Sequence, residues 1–375
     1  MKRFATLATL VALAASALAA NGPVPVGSRQ NVKLIHAGWV TPTVAELKEN
    51  IEKIEEEAPF DGLILHMGVT DVMNAASPMK YDAALRRQAR EFKSIKFKQY
   101  TDNFLAVMID QRKIDWFSDE EWKVLASNWG VAAQVAKEAG FVGLCFDPEC
   151  YGVYPVTSYW LSSYYLKTDK ERKAEDYLEA ARRRGQQVGR AIFKEYYDIK
   201  FFSFYFWSMG ADLLGAFCNG LLDVMPPGAA MIDGDEWRGY CAKNEKAYAD
   251  MASNQRTGYG MLDRKHARRY RAQGQLAPAF YLDAYANPEN GCLLPAIRHE
   301  KPARLFADNL KHARRHSGGY IWIYGEKGTW WDKGDANKFK PWTVQLPGFR
   351  ETLFGEPRRN PFLGAAGTRP APGAQ

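Results

Sequence analysis

Long apolar runs are absent from most of this sequence, and cysteine is scarce. After the first twenty residues no apolar stretch reaches the roughly 18 residues that a membrane-spanning helix needs, so we expect no membrane span there. Only five cysteines occur in 375 residues. Cys145 falls inside an apolar run and is expected to be a buried thiol. In an oxidising compartment the other four could pair in any of three ways, and the sequence does not choose among Cys150, Cys218, Cys241 and Cys292.

A strong charge of either sign is also missing. The chain has 50 Lys and Arg against 43 Asp and Glu, and the basic residues are spread through helix-like segments. Nucleic acid is therefore not an expected partner. No G-x-G-x-x-G, P-loop or H-E-x-x-H motif occurs, which leaves nucleotide-dependent enzymes and zinc peptidases without support. His312 and His316 are four residues apart, but arginines surround them. We expect no metal site and no cofactor.

The two ends of the chain differ in composition from the rest. Lys2 and Arg3 precede a short alanine and leucine run that ends in a small-x-small pattern, as in a secretory signal peptide. We expect a signal peptide over residues 1–19, a linker over 20–30, and a mature protein that is periplasmic or secreted. The C-terminal tail, residues 351–375, ends in "GAAGTRPAPGAQ", which predicts disorder at its end.

Between these ends, short apolar runs alternate with longer charged segments of helical character, which favours a parallel sheet with helices on its faces. The apolar runs are 32–39, 60–68, 103–110, 141–149, 199–207, 228–235, 276–285 and 319–326. The clearest helical segments are 43–58, 118–140, 170–198 and 301–319. Eight runs separated by helices are the number in a closed (β/α)8 barrel. We predict an α/β fold, a single-domain TIM barrel with loop insertions over residues 31–350.

The fourth apolar run, "FVGLCFDPE", ends by presenting two carboxylates. Side chains alternate across a strand, so Cys145, Asp147 and Glu149 share one face. In a barrel that face points toward the axis at the C-terminal mouth, where active sites of this fold are found. Asp147 and Glu149 would stand about 6.6 Å apart along the strand and repel each other, which raises the pKa of one of them.

The same alternation, applied to the other runs, predicts a mouth that is acidic and lined with aromatic rings. The candidate catalytic residues are Glu149, Asp147, Asp233, Asp235 and Glu326. The candidate substrate-binding residues are Trp39, His36, His66, Tyr205, Trp207, Tyr281, Asp283, Trp322 and Tyr324. Acids among aromatic rings suit carbohydrate, because sugar C–H faces stack on rings, hydroxyls donate to carboxylates, and glycosidic cleavage needs a proton donor. An oligosaccharide or polysaccharide is the expected partner.

The segment "FVGLCFDPECY" resembles the fourth-strand motif of the family-18 chitinases and endo-β-N-acetylglucosaminidases, F-D-G-hydrophobic-D-hydrophobic-D-x-E-Y in consensus. It matches at Phe141, Gly143, Leu144, Asp147 and Glu149, with Tyr151 one place late. The resemblance implies that Glu149 is the general acid. It also implies that Asp147 orients the substrate's own acetamido group as an internal nucleophile, so the glycan would contain N-acetylhexosamine.

Two further segments are similar to strands of that family. "MIDGD" is similar to its sixth strand, which implies that Asp233 helps to position the acetamido group. "GGYIWIYGE" is similar to its last strand, whose tryptophan floors the sugar site, which implies that role for Trp322. Val142 and Cys145 stand where the fourth-strand motif has its first two aspartates.

The lead hypothesis is therefore a glycoside hydrolase with Glu149 as general acid and Asp147 as its partner. A second hypothesis keeps the enzyme class but makes Asp147 the nucleophile or base, with Asp233, Asp235 or Glu326 as acid. A third hypothesis is a glycan-binding barrel without turnover, because two aspartates of the motif are missing. A fourth hypothesis is a barrel hydrolase that acts on a substrate other than sugar.

Overall fold

The computed structural model describes residues 32–109, 113–286, 302–334 and 339–355. The predicted signal peptide and linker, Cys292 and most of the predicted tail lie outside the described residues. Nine parallel strands form one sheet within the described part. They are β1 (Lys33–Gly38), β2 (Gly62–Leu65), β3 (Phe104–Met108), β4 (Gly143–Asp147), β5 (Lys200–Ser203), β6 (Ala230–Asp233), β7 (Gly274–Leu276), β8 (Ala279–Tyr281) and β9 (Tyr320–Gly325).

These nine strands occupy eight positions of a closed barrel. The sheet order runs from β7 through β6, β5, β4, β3, β2 and β1 to β9 and β8. Only Ala277 and Pro278 separate β7, which pairs with β6, from β8, which pairs with β9. The Ala277 N–H donates to the Asp233 carbonyl at 2.8 Å, and the Trp322 N–H donates to the Pro278 carbonyl at 3.2 Å. Residues 274–281 thus close the ring as one bent strand, and the predicted (β/α)8 barrel is confirmed.

Helices cover the outside of the barrel, and the four helical segments expected from the sequence are all confirmed. The helices are α1 (Val44–Glu57), α2 (Ala83–Ser94), α3 (Asp119–Ala139), α4 (Ser162–Tyr165), α5 (Ala174–Glu195), α6 (Asp212–Val224), α7 (Glu236–Cys241), α8 (Glu245–Gln255), α9 (Ala267–Gln273), α10 (Leu282–Ala286), α11 (Pro302–His316), α12 (Trp342–Gln345) and α13 (Phe349–Phe354). Short 3-10 turns lie at Ser158–Trp160, Gly258–Gly260 and Arg264–His266.

Local sequence explains where the clearest helices begin and end. The Thr43 hydroxyl accepts from the Glu46 N–H while the Glu46 carboxylate accepts from the Thr43 N–H, a full capping box at the start of α1. At the start of α3 the Ser118 hydroxyl accepts from the Glu121 N–H at 3.2 Å. Gly140 ends α3 with φ 88°, a left-handed conformation that costs glycine little.

The lower half of the barrel interior is filled and sealed. Rings of Phe104, Phe202 and Trp322 pack across the axis at centroid distances of 5.4 and 6.1 Å. Below them, at the N-terminal end, the Tyr320 hydroxyl donates to Asp102 at 2.6 Å, and Lys33 forms an ion pair with the same carboxylate. Burial alone would raise the pKa of Asp102, but these donors hold it below its usual value. Any open site must therefore lie at the other end.

The structure can be compared with the sequence expectations about disulfide bonds and about membrane-spanning helices. Cys150 and Cys218 are buried free thiols, so within the described residues they do not form a disulfide with each other. Cys145 is buried inside the barrel wall as expected. Among the described residues no helix combines the length and apolar character required to cross a bilayer.

Candidate functional site

Asp147 is the last residue of β4 and faces the barrel interior. Along the sheet Cys145 is paired with Ala106 and with Phe202, one of the rings on the axis. Paired residues of parallel strands point to the same side, so Asp147 lies on the interior side two residues on. Phe146 points the other way, with its ring 5.0 Å from that of Trp129 on α3. The alternation predicted for the fourth run is thus the one observed.

Two hydrogen bonds fix the Asp147 carboxylate to the residues that follow it. Its Oδ1 accepts from the Glu149 N–H and its Oδ2 from the Tyr151 hydroxyl, both at 3.0 Å. Burial, and then the charge of Glu149, raise the pKa of Asp147 to about 7. Burial also raises the pKa of Glu149, although a hydrogen bond from Tyr151 opposes this rise. Tyr151 therefore bridges both carboxylates.

Glu236 brings a third carboxylate to this end of the barrel. After β6 the chain turns sharply at Gly234, whose N–H donates to the Ser203 carbonyl at 2.8 Å. A Cβ on Gly234 would lie 2.7 Å from the Phe204 carbonyl oxygen, so the close approach requires glycine. Glu236 then begins α7. Burial, followed by the charges of Glu149 and Asp147, raises the pKa of Glu236 well above its usual value.

Asp147, Glu149 and Glu236, hereafter the mouth carboxylates, act on one another without a neutralising cation. Within the described residues none of the three forms an ion pair with lysine or arginine. Three neighbouring carboxyl groups that are buried or half-buried are not all ionised readily, because desolvation and mutual repulsion disfavour each charge. The group therefore retains protons near neutral pH and contains both a potential proton donor and a potential base.

Aromatic rings surround the mouth carboxylates. Phe204 stacks on Trp322 at a centroid distance of 4.6 Å and an interplanar angle of 3°. The rings of Tyr240, Tyr281 and Tyr324 lie within 5.1 to 6.1 Å of one another. Trp322 is fully buried, so it forms the floor of the site, while Tyr324 is partly exposed above it. A cluster of aromatic rings therefore lies at this end of the barrel.

Tyr205 follows β5 and carries a buried hydroxyl next to the mouth carboxylates. Burial, and then the charges of Glu149 and Asp147, raise the pKa of Tyr205 well above its usual value. The hydroxyl has no hydrogen-bond partner among the described side chains and backbone groups. A buried polar group left unpaired is costly, so this hydroxyl is suited to a ligand or water at the site.

Glu326 and Asp283 occupy the far side of the mouth in different roles. The Asp283 carboxylate accepts the backbone N–H groups of Glu326 at 2.8 Å and Lys327 at 3.1 Å. Both of its oxygens are thus used to hold the loop after β9, and Asp283 is a loop anchor. The Tyr324 hydroxyl donates to Glu326 at 3.2 Å, which joins Glu326 to the ring cluster.

Trp39 and His66 lie at the rim, after β1 and β2. Their rings are parallel to within 3°, with centroids 6.4 Å apart, and both side chains are exposed. Trp39 is 59% exposed. The exposed Trp39 indole offers a flat apolar face beside the acidic mouth. Because the His66 ring already holds the indole in place, the side chain would lose little conformational entropy on binding a ligand.

Asp233 and Asp235 do not lie at the mouth, so their predicted placement is wrong. Asp233 is paired with Ser203, which is paired with the outward-facing Phe146. Its carboxylate accepts from the Phe206 N–H at 3.2 Å and the Asp235 N–H at 3.1 Å. Both aspartates are completely buried in the helix layer, and burial raises the pKa of each. The sixth-strand acid implied by the family-18 resemblance is therefore absent from the mouth.

His36 and Trp207 are also on the outer side, contrary to prediction. His36 stacks on Phe60 at 5.1 Å, and burial lowers its pKa to about 3, so it is a neutral packing residue. The Trp207 indole N–H donates to the Tyr270 hydroxyl at 2.8 Å in the helix layer. Both faces of a barrel strand are buried, so residue polarity did not distinguish the inner face from the outer one.

Sequence reasoning missed Glu236, Phe204 and Tyr240, and it noted Tyr151 only as a displaced match to the fourth-strand motif. The prediction has the wrong face of β6 pointing inward. Ile232, not Asp233, is paired with Phe202 on the barrel axis. Counting by twos from Ile232 leads to Gly234 and Glu236, so alternation from the correct face would have placed Glu236 at the mouth.

Among the described residues, no cluster of three or more His, Cys, Asp or Glu side chains has the arrangement of a metal site. No family model matches the sequence, and no curated protein matches it.

Solved structures with a similar course of the chain include two sugar-cleaving enzymes. A GH5-4 broad specificity endoglucanase from an uncultured bacterium aligns over 88% of this chain and 96% of its own, at 10% identity and a TM-score of 0.47. Another from Clostridium acetobutylicum aligns over 84% of this chain and 91% of its own, at 13% identity and a TM-score of 0.43. Similarity this low does not bear on activity, and the barrel fold rests on the strand pairing described above.

Proposed function

We propose that this protein is a glycoside hydrolase that cleaves a glycan, with Glu149 as general acid and Asp147 as its electrostatic partner. The observation that carries the proposal is the group of mouth carboxylates, which act on one another beside a cluster of aromatic rings, without a cation. A structural acid pair would instead be neutralised, as Asp102 is by Lys33 at the opposite end of the barrel.

Glycosidic cleavage needs a carboxylic acid that is still protonated near neutral pH. Glu149 is suited to this because burial raises its pKa. Asp147 also accepts the Glu149 backbone N–H, so it orients the segment that carries the acid. Glu149 is the less buried of the two, which leaves its carboxyl accessible to a leaving oxygen.

The aromatic rings at the mouth and rim favour carbohydrate as substrate, because sugar rings present C–H faces that stack on exposed rings such as Tyr324 and Trp39. N-acetylhexosamine remains a candidate sugar through the family-18 resemblance at Asp147 and Glu149. Action on an extracytoplasmic glycan follows from the signal peptide expected over residues 1–19 and belongs to the same proposal.

The second hypothesis, with Asp147 as nucleophile or base, loses two of its three candidate acids. Asp233 and Asp235 are enclosed in the helix layer, whereas Glu326 remains at the mouth. Asp147 is itself less suited to attack a sugar, because both of its oxygens are occupied by hydrogen bonds from Glu149 and Tyr151.

The test is a released-sugar screen of the purified protein against a panel of plant and host glycans. We expect product from the wild type and at least a 100-fold loss of turnover in Glu149→Gln, the scale of a lost general acid. The matched control is Glu120→Gln, an exposed position on the first turn of α3, which should keep full activity. Retention of most activity by Glu149→Gln would remove the assignment. Tight oligosaccharide binding without product would select the glycan-binding alternative.

A further inference from the structure

We infer that Glu236 is the second catalytic carboxylate, and that it supplies the electron pair while Glu149 supplies the proton. This inference rests on the proposed function and deepens it. It also widens the substrate class, because an enzyme that supplies its own second carboxylate does not require an acetamido group on the sugar. Glycans whose reacting sugar carries a hydroxyl at C2 then belong to the substrate class beside those with N-acetylhexosamine.

The backbone at Glu236 is held from two sides of the barrel. The Glu236 N–H donates to the Phe204 carbonyl at 3.1 Å, which ties it to the end of β5. Two residues earlier, the Gly234 carbonyl accepts from the Trp322 indole N–H at 3.0 Å, which ties the turn to β9. One turn later, a Cβ on Gly239 would lie 2.6 Å from the Ala279 nitrogen, so α7 packs directly on β8. A group fixed by three strands is preorganised.

One carboxylate oxygen of Glu236 is held and the other is available. The Tyr240 hydroxyl, one helical turn along α7, donates to Oε1 at 3.0 Å. Within the described part of the chain, Oε2 receives no hydrogen bond. This differs from Asp147 and Asp283, whose two oxygens are both occupied. A carboxylate with one anchored oxygen and one open oxygen is suited to react.

Backbone hydrogen bonds join Glu236 to the strand that precedes the proposed acid. The Phe204 carbonyl accepts from the Glu236 N–H, and the Phe204 N–H donates to the Phe146 carbonyl of β4 at 3.0 Å. The charges of Glu149 and then Asp147 act on Glu236, in agreement with this placement. The unpartnered Tyr205 hydroxyl is affected by the same three carboxylates. Glu149, Glu236 and the Tyr205 hydroxyl therefore lie at the same end of the barrel.

The reaction is balanced with water as the only reactant besides the glycan. Glu149 gives its proton to the glycosidic oxygen as the bond from that oxygen to C1 breaks. Glu236 either attacks C1 to form a glycosyl ester, which water then hydrolyses with Glu149 as base, or takes a proton from the water that attacks C1. The first route retains and the second inverts the configuration at C1, so the product anomer separates them.

The test compares Glu236→Gln, Glu149→Gln and the wild type on the glycan found in the screen. The same enzymes are then assayed on a 2,4-dinitrophenyl glycoside of the same sugar with a hydroxyl at C2. Dinitrophenolate is a good leaving group, so it departs without receiving a proton from the general acid. We therefore expect Glu149→Gln to lose far less activity on the aryl glycoside than on the glycan, and Glu236→Gln to lose at least 1,000-fold on both. Sodium azide should restore turnover to Glu236→Ala and yield a glycosyl azide.

Folding is checked by thermal melting, and Tyr240→Phe serves as a milder variant that keeps the carboxylate but removes its donor. An intermediate loss in Tyr240→Phe supports the inference. If Glu236→Gln melts like the wild type and stays within tenfold of its activity on both substrates, the inference is overturned while the role of Glu149 stands. If the wild type cleaves no glycan, the proposed function fails and the inference fails with it.

Discussion

The indole nitrogen of Trp322 lies 3.0 Å from the carbonyl oxygen of Gly234, so the last strand of the barrel holds the turn that precedes Glu236. The same indole stacks on Phe204 at 4.6 Å, and the Phe204 carbonyl in turn accepts from the Glu236 N–H. The floor of the site and the third carboxylate are therefore one connected unit. Substitution of Trp322 should therefore alter the position of Glu236.

Trp322→Phe tests this connection, because it keeps an aromatic ring but removes the indole N–H. The Gly234 carbonyl would be left unpaired in a buried place, which costs about 1 to 3 kcal/mol of stability. We expect kcat to fall about tenfold or more as the Glu236 turn loosens. Trp129→Phe is the matched control, since Trp129 is equally buried but lies in the helix layer. Equal kcat in the two variants would show that the Trp322 bond does not position Glu236.

The pH profile tests the electrostatic role of Asp147. Burial and the charge of Glu149 raise the pKa of Asp147 to about 7, and burial raises the pKa of Glu149. Activity should fall as the pH rises and the proton donor is lost. In Asp147→Asn the repelling charge is gone, so we expect the alkaline limb of kcat/KM to move to lower pH by about one unit. If the alkaline limb of kcat/KM does not move, Asp147 does not influence the protonation of Glu149.

Trp39→Ala tests whether the rim binds substrate. Trp39 is 59% exposed, so its removal should leave the melting temperature nearly unchanged. Loss of one stacking surface, by analogy with aromatic pairs worth about 0.5 to 1.5 kcal/mol, predicts a KM increase of about two- to tenfold with little change in kcat. Tyr197→Ala is the control, because Tyr197 is also 59% exposed but precedes β5 at the opposite end of the barrel. A similar KM in both variants would exclude Trp39 from the site.

The barrel itself could be predicted from the sequence because its signals are local. Each of these signals depends only on residues that are close in sequence. They are the eight apolar runs, the helical segments between them, and helix caps such as Gly140. The face on which Asp147 lies could be predicted too, because the strand continues regularly up to that residue. Helix and strand periodicity was therefore sufficient to predict most of the fold.

The composition of the site could be predicted only in part, because it depends on which face of each strand points inward. Ser203 and Asp233 face outward within their strands. The wrong face of β6 was therefore assigned to the mouth, whereas alternation from the inward Ile232 leads to Glu236. The helix layer and the barrel interior are both apolar, so Asp233 carried no local sign of the layer it would join.

Asp233 offers a stability prediction that is independent of activity. Burial, and then the charge of Asp235, raise the pKa of Asp233 above its ordinary value of 3.8. Below that value both the folded and the unfolded chain bind the proton. As the pH rises, the unfolded chain releases the proton while the folded chain retains it, so the free energy of unfolding falls until the folded pKa is passed.

Asp233→Asn removes this titration and keeps an oxygen that can accept from the Phe206 and Asp235 N–H groups. We expect the variant to gain stability relative to the wild type as the pH rises above about 4, by at most about 1.4 kcal/mol per pH unit. Urea unfolding at three pH values between 4.5 and 7.5 measures the difference. Asp198→Asn, at an exposed position, should show a constant difference from the wild type across the same range. A constant difference for Asp233→Asn as well would mean that Asp233 is ionised in the folded protein, with a donor that offsets its burial.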